Sequence, residues 1–362
     1  VALDSISINS ATTGAGTVEI TNIGAVSGAT AIGNTNTATL TLDGTVYTTT
    51  GSQTYTAATG GGNIDITNTA GTTFTTTDTA VAFNTSGVDL ANNATTTIDT
   101  GTAAGNVTFQ GAIETNGSDN DILTVTSGTG TVTFTGAIGA TEELGGLNVN
   151  ASSGSGVITF SSTIGDTSGG AGVIGTTAIG NAATSDLNFN STIYKFDGAT
   201  TITAAAGDTI DMGAGAATTF TTAADNITFA TGNIELANGS NLTVDTGAAG
   251  GNITIGEIAG HSVETVTLDA GTGTTSVGVI GTGTEIGALS IGSSDNGGIT
   301  LNGATTTDGV VTLDGPITLA TGAITITTAD DAINLQGTVD GGQALTLSSG
   351  SAAVTVDGAI GS

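Results

Sequence analysis

The sequence predicts an all-β chain folded as a parallel β-helix, a β-solenoid with about 20–26 residues per coil. Three observations predict it. Short apolar segments alternate with period two, as in Val132-Thr133-Phe134, Leu147-Asn148-Val149 and Ile158-Thr159-Phe160, the pattern of half-buried strands. Turns rich in Gly and Ser separate these segments, and the pattern returns at the spacing of solenoid coils. A longer echo lies on top: Val88, Ile98 and Phe109 answer to Ile234, Val244 and Ile255 with no gap, at a constant offset of 146 (234 − 88). A strand this short cannot bury its own apolar side, so each coil must lie against a copy of itself. Return to the same sheet after one full coil makes the pairing parallel.

Composition narrows the function classes. The 362 residues include 60 Gly, one Pro and no Cys or Trp, and 31 acids face a single base, Lys195, for a net charge of −30. Abundant Gly and Thr with few charges is also a composition of disordered chains, but frequent Val, Ile and Thr in strict alternation mark ordered strands. With nothing to neutralise phosphates, nucleic acid is excluded as a partner, and anionic membrane surfaces are disfavoured. No apolar run approaches the ~18 residues of a spanning helix, so no membrane insertion is expected. Without Cys there is no disulfide framework or thiol chemistry. A single site for trypsin-like proteases suits life outside the cell. The chain opens on Val1-Ala2-Leu3, with neither initiator Met nor signal peptide, and reads as a segment of a longer or processed protein.

In chain order, residues 1–39 are expected to form irregular coils beginning at Ile6-Ser7-Ile8. Residues 40–186 make a first large repeat, 187–310 a second and 311–362 a partial third, within one continuous solenoid. Two strand types take turns, one pair per coil. The V-T-F type, often continued as x-G-x-I, recurs at 107–109, 132–134, 158–160, 187–189, 311–313, 333–335 and 354–356. The L-x-V type recurs at 123–125, 147–149, 242–244, 266–268, 289–291, 324–326 and 345–347. Strands of the first type at 299–301 and 311–313 follow one another far more closely than a coil allows, which calls for a phase slip or a third face. Val, Ile, Leu and Phe point inward, each worth roughly 1.5–3 kcal/mol when buried. Outward positions of the first type carry Thr108, Thr133, Thr159, Thr228, Thr254, Thr300, Thr312 and Thr355, with Asn188 and Asn334 substituting. Stacked at the strand spacing of ~4.7 Å, they make hydroxyl and amide ladders. Neither end reads as capped, so each is expected to continue or to meet another copy.

Candidate chemistry is sparse. The only imidazole is His261, in Gly260-His261-Ser262. A Ser–His–Asp relay would need a nucleophile motif that is absent, and a solvated turn histidine is the plainer reading. Asp330-Asp331 with His261 is the grouping closest to a polysaccharide-cleaving β-helix, yet about 70 positions separate them and no basic residue accompanies them. No residue is therefore assigned as catalytic, cofactor-binding or metal-binding. Asp119-Asn120-Asp121, Glu142-Glu143, Asp295-Asn296 and Asp330-Asp331 are turn acids of the kind Ca²⁺ uses. No cofactor is expected: counter-ion screening is the plainer reading of these acids, calcium is the one candidate, and only Gly60-Gly61-Gly62-Asn63-Ile64-Asp65 approaches the calcium-binding repeat. Lys195, between Tyr194 and Phe196, is an isopeptide candidate or an exposed amine. Asn106-Val107-Thr108 and Asn150-Ala151-Ser152 match a glycosylation triplet that a Thr-rich chain produces by chance. Thr131/Thr133/Thr135 and Thr325/Thr327 fit ice recognition locally, but such paired rows do not recur coil after coil.

The segments L-D-G-T-V-Y-T-T-T-G-S-Q-T-Y (42–55), V-T-F-T-G-A-I-G (132–139) and G-T-V-D-G-G-Q-A-L-T-L (337–347) resemble the repeats of giant bacterial surface proteins. These include filamentous-haemagglutinin-like and autotransporter-like adhesins, and the resemblance covers most of the chain from about residue 40. It implies a right-handed parallel β-helix, export across the outer membrane, and a role in adhesion, biofilm matrix or fibre building. Partners would be the protein itself, neighbouring repeats, glycans or other cells. The family's N-terminal secretion domain and C-terminal anchor are not in this sequence. The expected function is a structural extracellular solenoid segment. The alternatives are an adhesin shaft that binds glycans or host surfaces and, as a minor one, a polysaccharide-cleaving β-helix.

Overall fold

The computed structural model describes residues 2–11, 14–85, 87–117, 120–167, 172–281, 283–292 and 296–361. Among them every regular element is a strand and every pairing between strands is parallel. The chain is a parallel β-solenoid, and it divides into two compact units, Val1–Asn188 and Phe189–Ser362.

In the first unit each coil has three faces rather than the two strands expected. One coil shows the plan: Gln53–Thr56, Asn63–Ile66 and Thr72–Thr75, each alternating buried and half-buried residues. Face A stacks Ile6–Ile8, Thr30–Gly33, Gln53–Thr56, Val81–Asn84, Val107–Phe109, Val132–Phe134 and Ile158–Phe160 in unbroken register. Face B runs from Gly16–Ile20 to Ile113–Thr115, then continues as single bridges from Ile113 to Ile138 and from Ile138 to Ile164. Face C runs from Ile23–Val26 to Thr177–Ile179. The x-G-x-I continuation of the V-T-F strands is thus a corner followed by the third face. A lone isoleucine gives too little alternation to register as a strand of its own.

The interior of this unit is a column of rings. On face A, Tyr55, Phe83, Phe109, Phe134 and Phe160 lie over one another with centroids 4.9–5.4 Å apart and planes within 19° of parallel. The strand spacing brings identical residues on successive coils to stacking distance. Tyr47 and Phe74 repeat the arrangement on face C at 4.9 Å. The tyrosine hydroxyls are used: Tyr55 donates to Gln53 Oε1 (2.9 Å), and Tyr47 donates to the Ile20 carbonyl (2.6 Å) and accepts from Gly44 N–H (2.9 Å). Burial, with the Asp43 charge adding to it against the Gly44 bond, pushes the Tyr47 phenol up to about 12.

The second unit uses the same three-sided plan. Face D stacks Thr200–Ile202 with the first parts of Ile227–Leu236, Ile253–Ala259 and Thr274–Ile280, then Gly298–Leu301, Ile317–Leu319 and Val339–Asp340. Face E begins at Thr209–Met212, takes the later parts of the same three long strands, and ends at Leu345–Ser348. Face F is a separate eight-stranded sheet from Ile193–Lys195 to Val354–Val356. The strands at 299–301 and 311–313 sit on faces D and F with Thr305–Thr307 on face E between them. Their close spacing is the third face, and no phase slip is needed.

Coil length is more variable than expected. Leu147 pairs with Thr177, whereas Ile299 pairs with Ile317, so the first of these coils is more than half as long again as the second. Corners absorb the difference, and they repeat between the units. Asp99 Oδ1 accepts from Gly101 N–H (2.9 Å) and Asp245 Oδ1 from Gly247 N–H (2.7 Å). Both glycines are left-handed, with φ of 89° and 75°, as this Asx turn demands. Thr100 Oγ1 and Thr246 Oγ1 then donate to the carbonyls of Gly105 (2.6 Å) and Gly251 (2.7 Å).

Candidate functional site

The outward residues are where function must reside, because both interiors are closed by packing. On face F the central outward positions pair rung by rung: Thr219, Thr243, Thr267, Ser290, Thr312, Asn334 and Thr355. Face D carries Thr201, Thr228, Thr254, Ser276, Thr300 and Thr318 in the same way. Face A carries Thr108, Thr133 and Thr159, with Asn188 Nδ2 donating to Thr159 Oγ1 (3.3 Å). Rows of hydroxyls and amides are thus present as the alternation predicts, but the two strand types do not keep to separate faces: Thr312, Asn334 and Thr355 continue the row of Thr243 and Thr267. The Thr131/Thr133/Thr135 triplet has Asn106/Thr108/Gln110 and Val157/Thr159/Ser161 on the rungs beside it, so paired threonine rows do not recur.

Corner asparagines tie coils together along the stacking direction. Asn106 Oδ1 accepts from Thr131 N–H (2.9 Å), Asn226 Oδ1 from Asn252 N–H (2.7 Å) and Asn252 Oδ1 from Thr274 N–H (2.9 Å). Asn150 is buried, its Oδ1 accepting from Ser127 N–H (2.9 Å). Both glycosylation-triplet asparagines are therefore engaged as structural groups.

Two acid arrangements stand out, neither visible from sequence spacing alone. On face B, Asp65, Asp89 and Glu114 occupy successive rungs. Asn63 Nδ2 donates to Asp65 Oδ1 (2.6 Å) and also to Asp89. Glu114 Oε2 accepts from Thr141 N–H (3.1 Å) and Glu142 N–H (2.9 Å). Burial holds all three carboxyls above their ordinary range, and the Asp89 charge adds to the effect at Asp65 and Glu114. On face E, Asp211 and Glu235 occupy neighbouring rungs, and Thr209 Oγ1 donates to Asp211 Oδ2 (3.0 Å). At the offset of the long echo, Asp211, Glu235 and Thr209 answer to Asp65, Asp89 and Asn63.

His261 joins the second arrangement. A groove of about 280 Å³ is lined by Asp211, Met212, Glu235, Ala237, Asn238 and His261. The imidazole Nδ1 lies 3.0 Å from the Leu236 carbonyl, which can only accept, so in the neutral ring Nδ1 carries the proton and Nε2 keeps its lone pair. Ser262 Oγ donates to Glu285 Oε1 (3.1 Å), so the Gly-His-Ser triplet does not form a serine–histidine relay. Asp330 and Asp331 follow Ile324–Thr328, three rungs beyond the strand that ends before His261 on face E. That is roughly 14 Å at the strand spacing. Asp330 Oδ1 instead accepts from Ser351 N–H (2.8 Å).

Several of the remaining acids are spent on the backbone. Glu264 is wholly buried (0% exposed), accepting from the N–H groups of Gly239 (2.8 Å), His261 (2.5 Å) and Val263 (3.4 Å). Burial alone would raise its carboxyl, but these backbone donors outweigh it and hold the group low. Asp121 is equally buried and accepts from Ala94 N–H (3.4 Å). Asn120 Nδ2 donates to Asn93 Oδ1 (3.0 Å), and Asn296 Oδ1 accepts from Gly298 N–H (2.7 Å). Asp119 and Asp295 lie outside the described residues. Among the described residues no group of three or more His, Asp or Glu side chains is placed to hold a metal ion. Lys195 sits on face F across from Thr221, a hydroxyl that offers no carboxyl for an isopeptide. No helix among the described residues is long and apolar enough to cross a membrane. Comparison with protein-family models, with curated proteins and with solved structures finds no match to this chain.

Proposed function

We propose that the chain is a structural segment of a larger repetitive protein of the bacterial cell surface, a stiff extracellular spacer or fibre-building unit. The observation that carries this reading is the stacking of side chains from coil to coil inside each unit. Its motif-level support is the resemblance to adhesin repeats. Leu3 and Ile360, in the outermost described coils, are 62% and 64% exposed. Negative-stain electron microscopy tests the proposal: rods or filaments with an axial repeat are expected, and compact unstacked globules would refute it.

The hydroxyl rows of faces D and F favour a second reading, a shaft that also binds glycans through many weak hydrogen bonds. A glycan array checks it, and binding no greater than background removes it. A glycan-cleaving role has only the Asp211, Glu235 and His261 groove in its favour. Incubation that leaves oligosaccharide profiles unchanged disposes of it.

A further inference from the structure

We propose that Asn116-Gly117 is a site of spontaneous deamidation, and that the fold protects the other three Asn-Gly pairs of the chain from the same chemistry. Those pairs are Asn238-Gly239, Asn296-Gly297 and Asn302-Gly303. The reaction begins when the glycine N–H loses its proton to solvent and the nitrogen attacks the asparagine Cγ. A C–N bond forms, the side-chain amide leaves as ammonia with a proton from water, and a succinimide remains. Water then opens either carbonyl to give aspartate or isoaspartate. Glycine in second place leaves the attack unhindered, so local structure decides which of the four reacts.

At Asn116-Gly117 both residues are exposed and Gly117 is left-handed at φ 84° with open space around its Cα. Among the described residues no hydrogen bond engages the Asn116 side chain or the Gly117 N–H. At each other pair a needed group is held. Gly239 N–H is bound by the buried Glu264 carboxylate (2.8 Å). Gly297 N–H donates to the Gly273 carbonyl (2.9 Å), and Asn296 is itself only 9% exposed. Asn302 Nδ2 donates to Ser276 Oγ (2.9 Å) and lies 3.4 Å from the Val277 carbonyl. Each bond must break before attack, and breaking one to a charged group slows the step about tenfold or more. Reaction at Asn116 adds a charge next to Glu114. In its isoaspartate form it lengthens the main chain just past the point where Asn116 N–H donates to the Leu90 carbonyl of the previous coil (3.1 Å).

The test is peptide mapping by mass spectrometry of the full chain held at pH 8 and 37 °C, with isoaspartate scored at each pair. Folded protein should accumulate product at Asn116 about tenfold or more faster than at Asn238 and about two- to tenfold faster than at Asn296 and Asn302, and the same chain in concentrated urea should lose that difference. The variant Glu264→Ala should raise the Asn238 rate toward that of Asn116; if it does not fold, the urea comparison still decides. A folded-state rate at Asn116 no greater than at Asn238, Asn296 or Asn302 overturns the proposal. So does a preference for Asn116 that survives unfolding.

Discussion

The two units fill the same three-sided plan with different interiors. In the first, face A stacks five rings in succession, from Tyr55 to Phe160. In the second, the rings cluster in the opening coils, at Phe189, Tyr194, Phe220 and Phe229. Beyond them face D is aliphatic: Ile255, Val277, Leu301 and Leu319. The stacked partners Tyr55, Phe83 and Phe109 lie farther apart along the chain than the stacked aliphatic pair Ile333 and Val354, and corners of different length absorb the difference. The acids differ too: the first unit stacks three carboxyls held above their normal range, while the second buries one that is held below it.

The largest expected effect is on the ring column. Phe109→Ala removes a ring stacked on both sides and should cost about 3–5 kcal/mol in denaturant unfolding. Ile255→Ala, at the corresponding position of the second unit, should cost less; equal losses would mean that stacking adds nothing beyond burial. Next, Glu264→Ala leaves buried N–H groups without an acceptor, about 1–3 kcal/mol in thermal or chemical unfolding. Because the Glu264 carboxyl is held low, its contribution is full above the ordinary glutamate range and is lost as pH falls through the lowered value. An acid-induced step in circular dichroism should therefore be present in the parent and absent in Glu264→Ala.

Gly136→Ala should cost about 1–3 kcal/mol, because a Cβ there would sit 2.2 Å from the Gly111 carbonyl oxygen of the coil below. A melting temperature unchanged from the parent would show that the corner yields. The smallest effect has the opposite sign. Asp65, Asp89 and Glu114 are held high, so the first unit gains stability as pH falls through their raised values, with the gain complete below the ordinary carboxylate range. Asp89→Asn should melt higher than the parent at pH 7, and the difference should shrink near pH 3. A difference independent of pH would dismiss the repulsive ladder.

The sequence alone determined which side chains go inward, that coils stack in parallel, and that the surface carries acid with almost no base. Those properties are local: alternation assigns each residue of a strand to one side, and composition sets the charge. It also exposed the echo between Val88 and Ile234, because a repeat needs no folding to be seen. Tertiary structure decided the number of faces, since Ile138 and Ile164 form the third one as single residues with no pattern of their own. It also decided which acids meet. Asp65 and Asp89, or Asp211, Glu235 and His261, lie about one coil apart in sequence, and coil length varies widely with the turn at each corner. A shift of one residue would send every such side chain to the opposite side of its strand. Only the backbone hydrogen bonds between coils fix that register.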